Sequence, residues 1–195
     1  MGGAGGRRRC RVSAIEGVGM NANRSAFLDM IGVSEGTSTS RITCNHGYDV
    51  IVGGIAGPEV FTDYSDHPFM HRVPKAVNSA GLCSTASGKF QIMLRDWPHY
   101  RAQLGLPDFG PASQELMAVQ LIRERGALPL IDGGSFDLAV ARCANLWASF
   151  AGSTYGQSTH QIGFLRDAYL SAGGQLTGSA PTPDALPTWG NEVRR

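Results

Sequence analysis

The sequence predicts an α+β domain, a helical body carrying a small β-rich lip. Three observations predict it. Apolar residues recur at helical spacing in several segments bounded by cap residues and glycines. A long stretch over 36–88, rich in Gly, Thr, Ser, Asp and His, follows the first of these and contains two short strand patterns. The composition, 42% hydrophobic and 17% charged over 195 residues, is that of one well-buried globule with little room for a second.

The first helix runs through Asn23-Arg24-Ser25-Ala26-Phe27-Leu28-Asp29-Met30-Ile31, with Asn23 offering a side-chain oxygen as N-cap. Phe27, Ile31 and Glu35 follow at i, i+4 and i+8 on one face, and Gly36 is suited to end the helix. Tyr48–Val52 and Glu59–Thr62 read as strands joined by the loop Gly53–Pro58, a hairpin or lip. Residues 89–104 place Phe90, Leu94, Trp97, Tyr100 and Leu104 in a helical pattern that Pro98 should bend or break. The next helix, 111–125, has Pro111 just inside its start and Gly126 just past its end. Over 135–148, Ser135 is the expected N-cap, and Phe136, Val140, Cys143 and Trp147 form a core-facing stripe. The last helix, 160–172, carries Ile162, Leu165 and Tyr169 and stops at Gly173-Gly174. The folded unit is thus expected over 21–174. Residues 1–20 are expected to be a disordered extension, and 175–195, with Pro181, Pro183 and Pro187, a flexible tail.

Bulk properties exclude several function classes. A net charge of +1 gives no broad polycationic surface, so no nucleic-acid partner is expected. Cys10, Cys44, Cys83 and Cys143 form no CxxC pair and no zinc spacing, which suits free thiols in a reducing compartment, with Cys143 as a small core residue. No stretch is apolar for long enough to cross a membrane. Arg7-Arg8-Arg9 resembles the start of an export signal, but Arg11, Ser13 and Glu16 interrupt the apolar run such a signal needs.

Five polar clusters offer chemistry: 34–37, 45–49, 61–68, 84–91 and 154–157. In the first, Glu35 sits on the edge of an apolar stripe at the negative end of a helix. Desolvation and the helix dipole both raise a carboxyl pKa, and a glutamic acid still protonated near neutral pH suits general acid catalysis of glycosidic cleavage. The same position also fits a surface glutamate at a frayed helix end. Asp49, Asp63 and Asp66 are possible second carboxylates for a two-carboxylate glycosidase, and each equally fits an Asx-turn or cap. His46, His67 and His71 with Asp63 and Asp66 lack the helical His-x-x-x-His spacing, so no metal or other cofactor is expected. No Ser lies in a Gly-x-Ser-x-Gly elbow. His67, just before Pro68, reads as a residue that caps or orients its loop.

Several long runs go further than these patterns. They are Ala26–Met30 leading to Ser34-Glu35-Gly36-Thr37, Asn45–Gly54, Phe61–Pro68, Gln103-Leu104-Gly105-Leu106, Glu124–Pro129, Trp147-Ala148-Ser149 and Tyr155-Gly156-Gln157. On them the chain resembles the bacteriophage lambda endolysin family of lytic transglycosylases, over about 21–174. The resemblance implies a lysozyme-like α+β fold with a saccharide cleft between body and lip. It implies peptidoglycan as substrate, cut between N-acetylmuramic acid and N-acetylglucosamine, with Glu35 as the catalytic acid/base. In this family Glu35 would protonate the leaving oxygen, then take the proton of the muramic C6 hydroxyl as that oxygen closes a 1,6-anhydro ring. Asp49, Gln91, Tyr155 and Gln157 are the expected substrate-binding residues of the cleft wall, Asp49 by ligand contact or by loop ordering. A monomer is expected, held in the host cytoplasm until a holin-type membrane protein opens the way to the periplasm and wall. Departures are about three extra residues in the loop Gly53–Glu59 and a divergent segment Phe69–Cys83. A hydrolytic muramidase on the same fold is the alternative. A non-catalytic wall-binding module is a third reading, against which the presence of Glu35 argues.

Overall fold

The computed structural model describes residues 21–150, 152 and 160–177. Helix α1 (Ala22–Ser34) is the spine of the body. Its N-cap is Asn21, whose side chain accepts from the Arg24 N–H at 3.0 Å. The expected cap, Asn23, lies inside the first turn and instead accepts the Gln175 N–H at 2.8 Å. Both residues are asparagines two positions apart, and the one that precedes the first helical φ/ψ wins.

Ala26, Phe27, Met30 and Ile31 are fully buried. Phe27 packs edge-on to Phe136, Phe150 and Tyr169, with ring centroids 6.0, 6.2 and 6.5 Å away. These partners come from α5 (Phe136–Cys143), the turn after it and α6 (Ile162–Ser171), so one side chain joins three distant segments. Arg24 clamps Asp132 through Nε at 2.6 Å and Nη2 at 2.5 Å, fixing α1 to the end of α4 (Leu128–Asp132), a one-turn helix not expected from the sequence.

The lip begins with the antiparallel pair β1 (Val50–Ile51) and β2 (Glu59–Val60), in register Val50↔Val60 and Ile51↔Glu59. This is the expected hairpin, shortened at both strands. A second pair, β3 (Lys75–Ala76) and β4 (Cys83–Ser84), was not expected. The Ile55 N–H donates to Ala76 O at 3.2 Å, which ties the two hairpins together.

The largest correction concerns residues 89–96. They are not helical. Ser87 and Ile92 exchange backbone hydrogen bonds of 3.0 and 2.8 Å, and Ser87 also bridges to Ile51, so the chain folds back along the lip. The reversal needs positive φ at Gly88 (76°) and at Gln91 (49°). A Cβ on Gly88 would meet Gln114 Oε1 at 2.1 Å, so this turn requires glycine twice over. Phe90 is buried as expected, but through lip-to-body packing and not through a helix. The helix α2 (Trp97–Leu104) begins only after this turn. Pro98 lies in its first turn, where its missing N–H costs nothing, and starts the helix that it was expected to break.

Helix α3 (Pro111–Glu124) matches its expected limits. Helix α5 ends five residues sooner than expected; Trp147 is still buried, but in a turn, where its Nε1–H donates to Phe90 O at 3.0 Å. Residues 175–177, assigned to the tail, are bonded onto the body: besides the Asn23 bond, the Thr177 N–H donates to Gly134 O at 3.2 Å. The remainder of the tail and the expected N-terminal extension lie outside the described residues. Among the described residues no helix is long and apolar enough to cross a membrane.

Candidate active site

Glu35 is the C-cap of α1, its N–H donating to Ile31 O at 2.9 Å. Gly36 then turns the chain with φ 70°, and the Ser38 N–H returns to Gly32 O at 3.0 Å. The buried hydroxyl of Thr37 reaches both Gly32 O (3.1 Å) and Lys89 O (2.7 Å). The turn that presents Glu35 is therefore stitched to the folded-back segment of the lip. The Lys89 N–H donates to Gln114 Oε1 at 3.0 Å, and Gln114 Nε2 donates to Tyr48 O and Phe109 O, so α3 anchors the same segment.

The Glu35 side chain is half-buried. Burial pushes its carboxyl above the ordinary range, and hydrogen bonds from Ser149 pull it part of the way back. Among the described residues no carboxylate and no cation enters that balance. Ser149 Oγ donates to Glu35 Oε1 at 2.6 Å and lies 2.7 Å from Ser34 Oγ. His160 closes the cluster, its N–H donating to Ser149 O (2.9 Å) and its Nε2 to Ser34 O (3.1 Å). The frayed-end reading of Glu35 is thereby excluded.

Asp49 is 4% exposed. One oxygen accepts from the Thr43 hydroxyl and the other from the Cys44 N–H at 2.8 Å. Thr43 Oγ1 in turn accepts the Gly47 N–H at 2.8 Å, and the Phe61 N–H donates to Asp49 O at 2.9 Å. Asp49 thus orders the 43–49 loop against β2. Gln91 is half-buried, with Nε2 donating to Gly88 O at 3.0 Å; among the described residues its Oε1 has no partner. Tyr155 and Gln157 lie outside the described residues.

The other aspartates are structural. Asp63 caps the Ser65 N–H at 2.9 Å, and Asp66 is held by Trp97 and Arg101. His67 is buried, its Nε2–H donating to Ile92 O (3.0 Å) and its Nδ1 accepting the Phe69 N–H (3.2 Å). It orients its loop, as its place before Pro68 suggests, and burial keeps its pKa below the ordinary value.

Sequence reasoning missed Ser149 and His160 as supports of Glu35. Both lie more than a hundred residues away, and only the helical spacing of their neighbours was readable. It also missed Lys89, a buried cation 2.6 Å from Asp29 and stacked 4.9 Å from the Tyr48 ring.

Comparison with known proteins places this geometry. The endolysin of Escherichia phage P2 is 54% identical over 159 residues, covering 80% of this chain and 96% of that protein. The endolysin of Escherichia phage lambda is 51% identical over 160 residues, covering 82% and 96%. The structure of bacteriophage lambda lysozyme complexed with a chitohexasaccharide superposes with a TM-score of 0.75 at 50% identity, over 82% of this chain and 99% of that one. A second structure of lambda lysozyme superposes with a TM-score of 0.72. The fold is therefore the lysozyme-like α+β fold. Residues 25–176 match the Endolysin family, and the chain belongs to it.

Proposed function

We propose that this protein is a phage endolysin that cleaves the β-1,4 bond between N-acetylmuramic acid and N-acetylglucosamine of peptidoglycan as a lytic transglycosylase. The observation that carries the reading is Glu35 itself, a carboxyl raised by burial on which no second carboxylate acts among the described residues. The oligosaccharide bound by the related lambda lysozyme supports a glycan as the ligand.

In the proposed reaction the protonated Glu35 gives its proton to the leaving O4 as the C1–O4 bond breaks. The C6 hydroxyl of the same muramic residue attacks C1, forming the C1–O6 bond and returning a proton to Glu35. The enzyme ends protonated as it began, and no water is consumed. An internal hydroxyl held against C1 uses proximity in place of a positioned water. Asp49 supports the cleft by ordering the 43–49 loop. Gln91 Oε1, Tyr155 and Gln157 are proposed to meet the sugar hydroxyls and acetamido groups. The protein is proposed to act as a monomer and to reach the wall after a holin-type membrane protein permeabilises the host membrane.

A hydrolytic muramidase would need a carboxylate to place water. Asp49, Asp63 and Asp66 are all committed to loop bonds or ion pairs, which disfavours that reading. Mass spectrometry of fragments released from purified peptidoglycan decides between the two. Anhydromuramic ends, one water lighter and non-reducing, are expected; reducing ends would overturn the transglycosylase reading.

A further inference from the structure

Proton counting in the Glu35 cluster assigns a direction to its bonds once the carboxyl is ionised. A serine hydroxyl has one hydrogen. When Glu35 is ionised its Oε1 can only accept, so Ser149 Oγ spends its hydrogen there at 2.6 Å and the 2.7 Å contact with Ser34 Oγ is a donation from Ser34. In that state the order is Ser34 to Ser149 to Glu35. The hydroxyl of Ser34 is itself buried at the last turn of α1, and its carbonyl is taken by His160.

We infer that Ser149, braced by Ser34, is the positioning residue that aims the Glu35 carboxyl for proton transfer. This rests on the reading of Glu35 as acid/base. The acid form keeps the same 2.6 Å contact whichever partner supplies the hydrogen, so the carboxyl is held in one orientation. The Ser149 backbone adds a second hydrogen bond to the same carboxyl. Chain polarisation through two hydroxyls strengthens the terminal bond. One residue therefore does two things: it aims the proton, and it limits how far burial raises the carboxyl.

The elements around Glu35 are α1, the turn 147–150 and the segment at His160. Among their described residues the charged or titratable groups near the cluster are few. Asp29 of α1 is paired with Lys89 at 2.6 Å, and His160 faces the Ser34 carbonyl and stacks on Phe164 at 4.2 Å. Neither contributes to the balance at Glu35.

The test uses the full chain on purified peptidoglycan, reading kcat, KM and the pH profile. Ser149→Ala is expected to lower kcat about tenfold with KM changed less than about twofold, as for loss of an aiming group. The alkaline limb of kcat/KM, where Glu35 loses its acid proton, is expected to move up by about one pH unit because the carboxylate has lost a donor. Ser149→Thr keeps the hydroxyl and is expected to restore both. Ser149→Cys has nearly the same volume and a weaker donor; it should move the limb the same way without opening a cavity. Ser34→Ala should do so to a smaller extent. Wild-type kcat and an unmoved limb in both Ser149→Ala and Ser149→Cys would overturn the inference, as would a drop in melting temperature with no change in the profile. Glu35→Gln run alongside separates the two levels: an inactive Glu35→Gln with an unaffected Ser149→Ala overturns only the role of Ser149. An active Glu35→Gln removes the acid/base reading itself.

Discussion

Glu35 and Asp66 are both half-buried carboxyls, and the molecule treats them oppositely. Burial pushes Asp66 up, but the Trp97 Nε1–H at 2.6 Å, the His67 N–H at 2.8 Å and the Arg101 guanidinium at 2.6 Å bring it below the ordinary carboxylate range. Burial pushes Glu35 up as well, and among the described residues only Ser149 opposes it, so it stays above. The difference is a cation and the number of donors. Asp66 is a fixed anion that joins the lip root to α2, and Glu35, the proposed proton carrier, has no positive charge acting on it among the described residues.

That contrast is sharpened most by exchanging each carboxyl for its amide. Glu35→Gln is expected to lower cleavage of purified peptidoglycan by about a thousandfold or more, with the far-ultraviolet circular dichroism spectrum unchanged. Lysis within tenfold of wild type would remove Glu35 from the chemistry. Asp66→Asn is expected to do the reverse. It weakens the bonds from Arg101 and Trp97, costing about 1–2 kcal/mol after allowing for the solvent exposure of the pair, while activity per folded molecule stays within about twofold. Urea titration of the two proteins checks this, and equal midpoints would show that the Asp66 node carries no stability.

The smallest effect is in the pH dependence of stability, where the two carboxyls have opposite signs. Asp66 is lowered, so its contribution is present above its ordinary value of 3.8 and is lost as pH falls through its folded value. Glu35 is raised, so its contribution is present below its ordinary value of 4.5 and is lost as pH rises through its folded value. Glu35→Gln, which never ionises, should therefore melt slightly higher than wild type at pH 7 and together with it near pH 4. A melting difference that grows on acidification would reverse the sign assigned to Glu35. A buried site carboxyl that lowers stability once ionised is the usual cost of function.

Much of this was legible before any coordinates. The Phe27, Ile31, Glu35 spacing put the carboxyl at the edge of the apolar stripe, and Gly36 marked the end of the helix. The strand patterns flanking Gly53–Pro58 gave the first hairpin. What failed was local reading of segments whose conformation is set from far away. Phe90 and Leu94 have helical spacing relative to Trp97, yet Gly88 and Gln91 take positive φ because the turn must clear Gln114 and pair Ser87 with Ile92. Asn23 is as good a cap as Asn21 by residue type, and its side chain is claimed by Gln175 from the other end of the chain. The long runs resembling phage endolysins carried the family and the candidate acid, but they say nothing of which hydroxyl holds that acid.

The sequence by itself determined the class of fold, the helical stripes that make the core and the position of Glu35 on the border of one of them. Those follow from periodicities of a few residues and from cap chemistry, which are local. Only the tertiary structure decided that Glu35 keeps a raised pKa while Asp66 does not, and that Ser149 is the group bonded to it. A pKa is set by burial and by the donors and charges within a few ångströms, and these come from 114 positions along the chain for Glu35 and from 31 and 35 positions along for Asp66.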